Sequence, residues 1–172
     1  KQMAPAVPAN MEEGVRDMIE SMITSGNDIG NIREQLGVGK GAAGGITGDN
    51  PLEQLWEMVS PKVPGLTADQ FFGFAPVVNG QTLPLTRQGI ISCCTVLDIL
   101  GYQAEGKKTR NPERIPNVLS DAAHIAAGAY CAAIVSHDSR LVERARAIYQ
   151  FRKIGTEAAY LEPGSQQRKE AL

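Results

Sequence analysis

Aromatic side chains make up only 5% of this 172-residue chain, with a single tryptophan. A core built from it must rest on Leu, Ile, Val, Ala and Met, and 42% apolar content is enough for one ordinary domain. Histidine is scarce: there are two, His124 and His137. No H-x₃-H frame and no cysteine partner surrounds them, so the ligand set of a zinc site is not expected. The three cysteines are Cys93, Cys94 and Cys131, two of them adjacent and inside apolar stretches. They form neither a disulfide framework nor a CxxC pattern; buried thiols in a reducing cytoplasm are the expectation. There is no apolar run of about 18 residues, so no transmembrane helix is expected. No charged-then-apolar leader opens the chain, so no secretory signal is expected either.

A nucleotide-binding loop is also missing. Residues 37–50 (GVGKGAAGGITGDN) hold six glycines in fourteen positions, the strongest loop or linker signal in the chain. A phosphate loop needs G-x-x-x-x-G-K followed by Ser or Thr. Gly39-Lys40 has Glu34 where the first glycine belongs and Gly41 where the hydroxyl belongs.

The net charge of −2 is unevenly spread. Residues 1–83 carry five basic and ten acidic side chains, a net of −5, whereas residues 84–172 carry twelve and nine, a net of +3. A polyanion would favour the second half.

Hydrophobic spacing predicts the elements. Residues 1–10 hold two prolines and no periodicity, and are expected to be a disordered lead. Met11, Val15, Met18, Ile19, Met22 and Ile23 predict a helix over 11–24, and 28–36 a second, short one. Asn50-Pro51 predicts a capped helix start, with Leu52, Leu55, Trp56 and Val59 inward. Thr67 and Asp69 predict a short helix through Phe71 and Phe72, and a short strand is expected at 75–78, before an Asn-Gly turn. Residues 85–101 predict a helix stopped by Gly101, and 103–114 a basic loop. Ser120 is expected to cap a small-sided helix that runs to about Cys131. Residues 133–136 (AIVS) predict a buried parallel strand. Residues 139–151 predict a helix with Leu141, Ala145 and Ile148 inward and Arg140, Arg144 and Arg146 on polar positions. Residues 157–161 predict a last strand, and 163–172 a polar tail.

Helix–strand–helix–strand alternation implies an α/β domain with a parallel sheet. Ligand sites in such sheets lie at the carboxyl ends of the strands. Asp138 falls just past the strand 133–136, and Asp121 at the expected start of the preceding helix. Two converging carboxylates suit Mg²⁺ or Mn²⁺. Each also suits plain helix capping, Asp138 before Ser139 and Asp121 after Ser120. His124 lies one turn after Asp121 on the same face.

Ser120-Asp121-Ala122-Ala123-His124, the small-residue helix, Ile134-Val135-Ser136-His137-Asp138-Ser139-Arg140-Leu141 and Arg144-Ala145-Arg146-Ala147-Ile148-Tyr149 together resemble the C-terminal portion of PIN-like ribonuclease domains. The likeness covers residues 115–162, roughly a quarter of the chain. It implies a PIN-like three-layer α/β fold over 11–162, with a short parallel sheet flanked by helices and a helix-rich N-terminal half. It also implies metal-dependent cleavage of RNA. Asp121 and Asp138 then match two of the family's acids and would hold Mg²⁺ or Mn²⁺, with His124 and Ser136 supporting them. Arg110, Arg114, Arg140 and Arg144 are candidate phosphate contacts on charge alone. Expected partners are RNA, a second copy of the chain or an antitoxin-like protein, in the cytoplasm and without a membrane. Two departures stand out. The family's opening strand ending in Asp has no counterpart in residues 1–30, where Asp17 and Asp28 sit in or beside helical pattern. Its middle acid, a helical Glu, has no clear match; Glu57 and Asp98 are the candidates by helical placement.

Two other classes compete. A non-catalytic PIN-like module binding RNA or a protein would need no complete acid set. A small-molecule enzyme of another α/β class would need a glycine fingerprint or a nucleophile–base pair, and none is present.

Overall fold

A computed structural model describes residues 29–39, 41–75, 77–78, 81–82, 86–104 and 115–163. The expected lead 1–10, the helix 11–24, most of the basic loop with Arg110 and Arg114, and the tail beyond Pro163 lie outside these residues.

The chain is mixed α/β and rich in helix. In order it forms α1 (Ile29–Gln35), α2 (Pro51–Val59), α3 (Ala68–Phe71), a hairpin of β1 (Val77–Val78) and β2 (Gln81–Thr82), α4 (Thr86–Leu100), α5 (Ile115–Gly128), β3 (Ala133–Ser136), α6 (Ser139–Arg152) and β4 (Glu157–Tyr160). Single 3₁₀ turns occupy Ala43–Gly45 and Ser60–Lys62. No helix among the described residues is long and apolar enough to cross a membrane.

Local chemistry explains the boundaries. Pro51 opens α2, where its missing N–H costs nothing. Asn50 stands before it in the left-handed region at φ 55°, and its side chain makes no capping bond. Its N–H instead donates to Gln150 Oε1 at 3.2 Å, tying the start of α2 to α6. The expected side-chain cap is therefore replaced by a tertiary one. α3 has a reciprocal cap: Gln70 N–H donates to Thr67 Oγ1 at 3.3 Å and Thr67 N–H to Gln70 Oε1 at 2.9 Å. α4 ends at Gly101, whose φ of +84° suits glycine and turns the N–H of Tyr102 back to the Leu97 carbonyl. Arg33 of α1 completes that end by donating to the carbonyls of Asp98 and Ile99, cation against helix C-terminus.

One hydrophobic cluster runs from Val38 to Ala158. α2 contributes Leu52, Leu55 and Val59, and α4 contributes Ile90, Cys93, Cys94, Leu97 and Leu100. Phe72 and Phe74 are fully buried, edge-on or tilted to Phe151 of α6. Gly89 lets the chain at Phe74 lie on α4, since a Cβ there would meet Phe74 Cδ1 at 2.5 Å.

β3 and β4 pair in parallel, Ala133 with Glu157 through Ser136 with Tyr160. α6 is the crossover that parallel pairing requires. The strand was expected to be buried on both faces, and it is not. Ile134 and Ala158 face the helices, while Val135 is 58% exposed and Ala133 is also exposed. An all-apolar tetrapeptide reports affinity for a core but not how many layers cover it.

Candidate functional site

The end of β3 is organised around Asp138. Its Oδ1 accepts the N–H groups of Arg140 at 2.9 Å and Leu141 at 3.3 Å, making it the N-cap of α6. Its own N–H donates to Ser136 Oγ at 3.0 Å. The Arg140 guanidinium lies 3.8 Å from the same Oδ1, on a half-exposed surface where such a pair adds little. Oδ2 takes part in none of these contacts. His137 Nδ1 is 2.6 Å from the Leu161 carbonyl. A carbonyl only accepts, so Nδ1 carries the proton and the ring ties the end of β3 to the segment after β4.

Asp121 sits elsewhere on its helix than expected. α5 begins at Ile115, with Pro116 tolerated in its first turn, so Ser120 is an exposed mid-helix residue and not a cap. Asp121 is thus the seventh helical residue, beyond the reach of the N-terminal dipole. The dipole and capping explanation of its carboxylate falls away. It is half-buried, and His124 one turn on is exposed.

α5 packs along α4, and Asp121 acts there on Asp98. Burial holds the Asp98 carboxyl above its ordinary value; the Arg144 guanidinium pulls it down, and the charge of Asp121 pushes it further up. Arg144, expected on the polar side of α6, is only 8% exposed. It reaches across to α4, donating from Nη2 to Asp98 Oδ1 and to the Gln103 carbonyl at 3.1 Å. Its place is explained by phase: 141, 144 and 148 share one face of a helix, so Arg144 belongs to the inward stripe. As a phosphate contact it is already engaged by Asp98. Arg146 donates to the Ala158 carbonyl at 2.9 Å and to Glu143 at 2.7 Å, tying α6 to β4.

The fold therefore joins Asp98 and Arg144, and the charges of Asp98, Asp121 and Arg144 reach the Cys94 thiol. Burial pushes that thiol up to about 12, so it is no nucleophile. Asp138 lies six residues before Arg144 on α6, roughly 9 Å along the axis at 1.5 Å per residue. Of the two candidates for a middle acid, Glu57 is exposed on α2 and Asp98 belongs to the group just described. The overlooked signal was a lone acid and a lone arginine inside apolar stripes. Such charges are almost never buried unpaired.

No group of three His, Cys, Asp or Glu side chains that could hold a metal stands together among the described residues. Mg²⁺ is nonetheless often held by one or two carboxylates with waters and substrate phosphates completing its shell. Asp98 Oδ1 is taken by Arg144, and Asp98 Oδ2 is a buried acceptor with no hydrogen-bond partner. The chain matches no protein-family model, no curated protein and no solved structure.

Proposed function

We propose that this chain is a PIN-like, divalent-metal-dependent endoribonuclease that hydrolyses RNA phosphodiesters. What supports this reading is the position of Asp138, two residues past the end of β3 in a parallel strand pair, together with the packing of α5 on α4, where the charge of Asp121 bears on Asp98. In this reading Asp121 and Asp138 hold Mg²⁺ or Mn²⁺, as the resemblance assigns, with Asp98 the candidate middle acid. A bound ion supplies a water of lowered pKa and neutralises charge on the scissile phosphate. Ser136 holds the Asp138 backbone, which fixes where that carboxylate stands. Arg140, half-exposed beside it, is the described arginine best placed to meet a phosphate.

Asp138→Asn tests this cleanly, because asparagine caps helices about as well as aspartate. The variant should fold like the parent and lose Mn²⁺-dependent cleavage of single-stranded RNA. Full cleavage by the variant, or by the parent in excess EDTA, refutes the proposal.

A second reading has one observation in its favour, the lack of a three-ligand metal group among the described residues. It makes the chain a non-catalytic or incomplete PIN-like module that binds RNA or a protein partner. RNA binding that persists while Mn²⁺ titration shows no uptake would select it.

A further inference from the structure

We propose that the free edge of β3 is the seam of a homodimer, in which two copies of this chain join Ala133–Ser136 in antiparallel register about a two-fold axis at Ile134 and build one four-stranded sheet. This interface stands independently of the metal-dependent reading above.

The hydrogen-bond pattern fixes which backbone groups point outward. Glu157 N–H donates to the Ala132 carbonyl at 3.1 Å and Leu161 N–H to the Ser136 carbonyl at 2.9 Å, flanking the register that pairs Ala133 with Glu157 and Ser136 with Tyr160. Backbone groups alternate sides along a strand, so those of Ala132, Ile134 and Ser136 face β4 and those of Ala133 and Val135 face away. Among the described residues, no group outside that ladder bonds the N–H or carbonyl of Ala133 or Val135. The opposite border of the sheet differs: there Arg146 Nε donates to the Ala158 carbonyl at 2.9 Å, which blocks strand addition on β4. Natural edges are blunted by charge, proline or a covering element. Residues 130–136 (YCAAIVS) carry neither a charge nor a proline. Residues 130–133 and Val135 are exposed, Tyr130 at 69%.

A two-stranded sheet is marginal by itself, and parallel strands ordinarily sit inside larger, covered sheets. A further strand is therefore expected on the edge that is bare. No segment of this chain reads as that strand: β1 and β2 pair with each other, and the residue pattern of 1–28, 105–114 and 164–172 holds no strand signal. A second copy supplies one, because the edge is its own complement. A two-fold axis at Ile134 sets Ala133 of each copy opposite Val135 of the other. These are the two residues whose backbone groups face outward, and together they close four N–H···O=C bonds. Their side chains lie on the open face of the sheet and meet across the seam as an apolar patch. Like charges do not oppose each other there, since Glu157, on the same face, stands one strand back from the seam.

The test is sedimentation equilibrium of the full chain over a wide concentration range, with three variants. The mass of the parent should climb from one chain to two. Val135→Pro takes away an outward N–H that the β3–β4 ladder does not use, and proline is tolerated at such an edge. It removes two of the four seam bonds, one from each copy, and should weaken the dimer about thirtyfold. Val135→Lys keeps the backbone and puts a charge on the patch. It should weaken the dimer as well, and it decides the matter if Val135→Pro does not fold. His137→Cys reads the register. The two-fold brings residue 137 of each copy opposite Cys131 of the other, about 5.5 Å apart at Cα and within disulfide reach. Within one chain the same two positions lie roughly 20 Å apart along the strand direction. This variant should form a covalent dimer under mild oxidation, and the parent, whose one exposed cysteine is Cys131, should not. A parent of single-chain mass at every concentration overturns the proposal. Ala133 and Val135 amides protected from hydrogen exchange in that monomer would give the edge to another segment of this chain, and unprotected ones to a different protein. A dimer undiminished in both Val135→Pro and Val135→Lys overturns it too, as does a His137→Cys dimer that does not cross-link.

Discussion

Gly128→Ala probes the junction that sets α5 against β3 and α6, and so the placement of Asp121. Gly128 is the last residue of α5 and has no positive φ, so alanine is sterically allowed by the backbone itself. The obstacle is tertiary. A Cβ there would stand 2.7 Å from Tyr149 Oη, 3.1 Å from Ile134 Cδ1 and 3.3 Å from Ile134 Cβ. The tyrosine cannot simply retreat, because its hydroxyl donates to the buried Ile125 carbonyl at 2.6 Å. Overpacking of this kind costs about 1–3 kcal/mol. Replacing glycine in a helix returns about 0.5–1 kcal/mol. The expected net is a loss of about 1–2 kcal/mol. Tyr149→Phe should cost about 0.5–1.5 kcal/mol, at the low end of a lost buried bond. The Ile125 carbonyl keeps the Ala129 N–H at 3.2 Å and is not orphaned. In the phenylalanine background the 2.7 Å contact is gone and only the Ile134 contacts remain, so alanine should be nearly neutral. The pair should therefore couple by about 1 kcal/mol. Urea unfolding followed by far-ultraviolet circular dichroism on the four proteins reads this directly. Costs that add to within about 0.3 kcal/mol would refute close packing of Gly128 on the tyrosine hydroxyl.

Two further outcomes follow from burial and charge. Cys93 and Cys94 are buried with thiols pushed well above their ordinary value by desolvation, whereas Cys131 is exposed, so a disulfide reagent should titrate one thiol in the native protein and three in denaturant. Two or more fast native thiols would contradict the packing of α4. Asp98 holds its proton more tightly folded than unfolded, so its contribution to stability is full below its ordinary value near about pH 4 and is lost as pH rises through the raised value. The stability difference between the parent and Asp98→Asn, measured by urea unfolding across pH, should accordingly fall as pH rises from about 4 and then level off. A difference that climbs with pH would mean that Arg144 outweighs desolvation at this carboxyl.

Periodicity and capping signals located the described helices to within a few residues, except α5, which starts at Ile115 and not after Ser120. Leu52, Leu55 and Val59 recur at helical intervals because a helix repeats its face, and each proves buried. Gly101 was legible as a stop, since only glycine takes its backbone angle without strain. The strand expected at 75–78 from the turn signals beside it is present at 77–78, and the parallel pair of β3 with β4 was legible from alternation of strand and helix patterns. Asp138 was placed just past β3, and its capping role was one of two readings its position allowed.

What the sequence by itself determined was thus the order of elements and the face each turns inward, because those depend on neighbours three or four residues away. The tertiary structure decided which charges meet. The Asp98–Arg144 pair spans 46 residues, and no local rule reports an interaction between side chains that only packing of α4 on α6 brings together. The start of α5 at Ile115 moved Asp121 from a helix end to its middle, where packing of α5 on α4 lets its charge bear on Asp98. The open face of β3 was decided the same way: Val135 carries the chemistry of a core residue, and its exposure depends on what the rest of the fold lays against it.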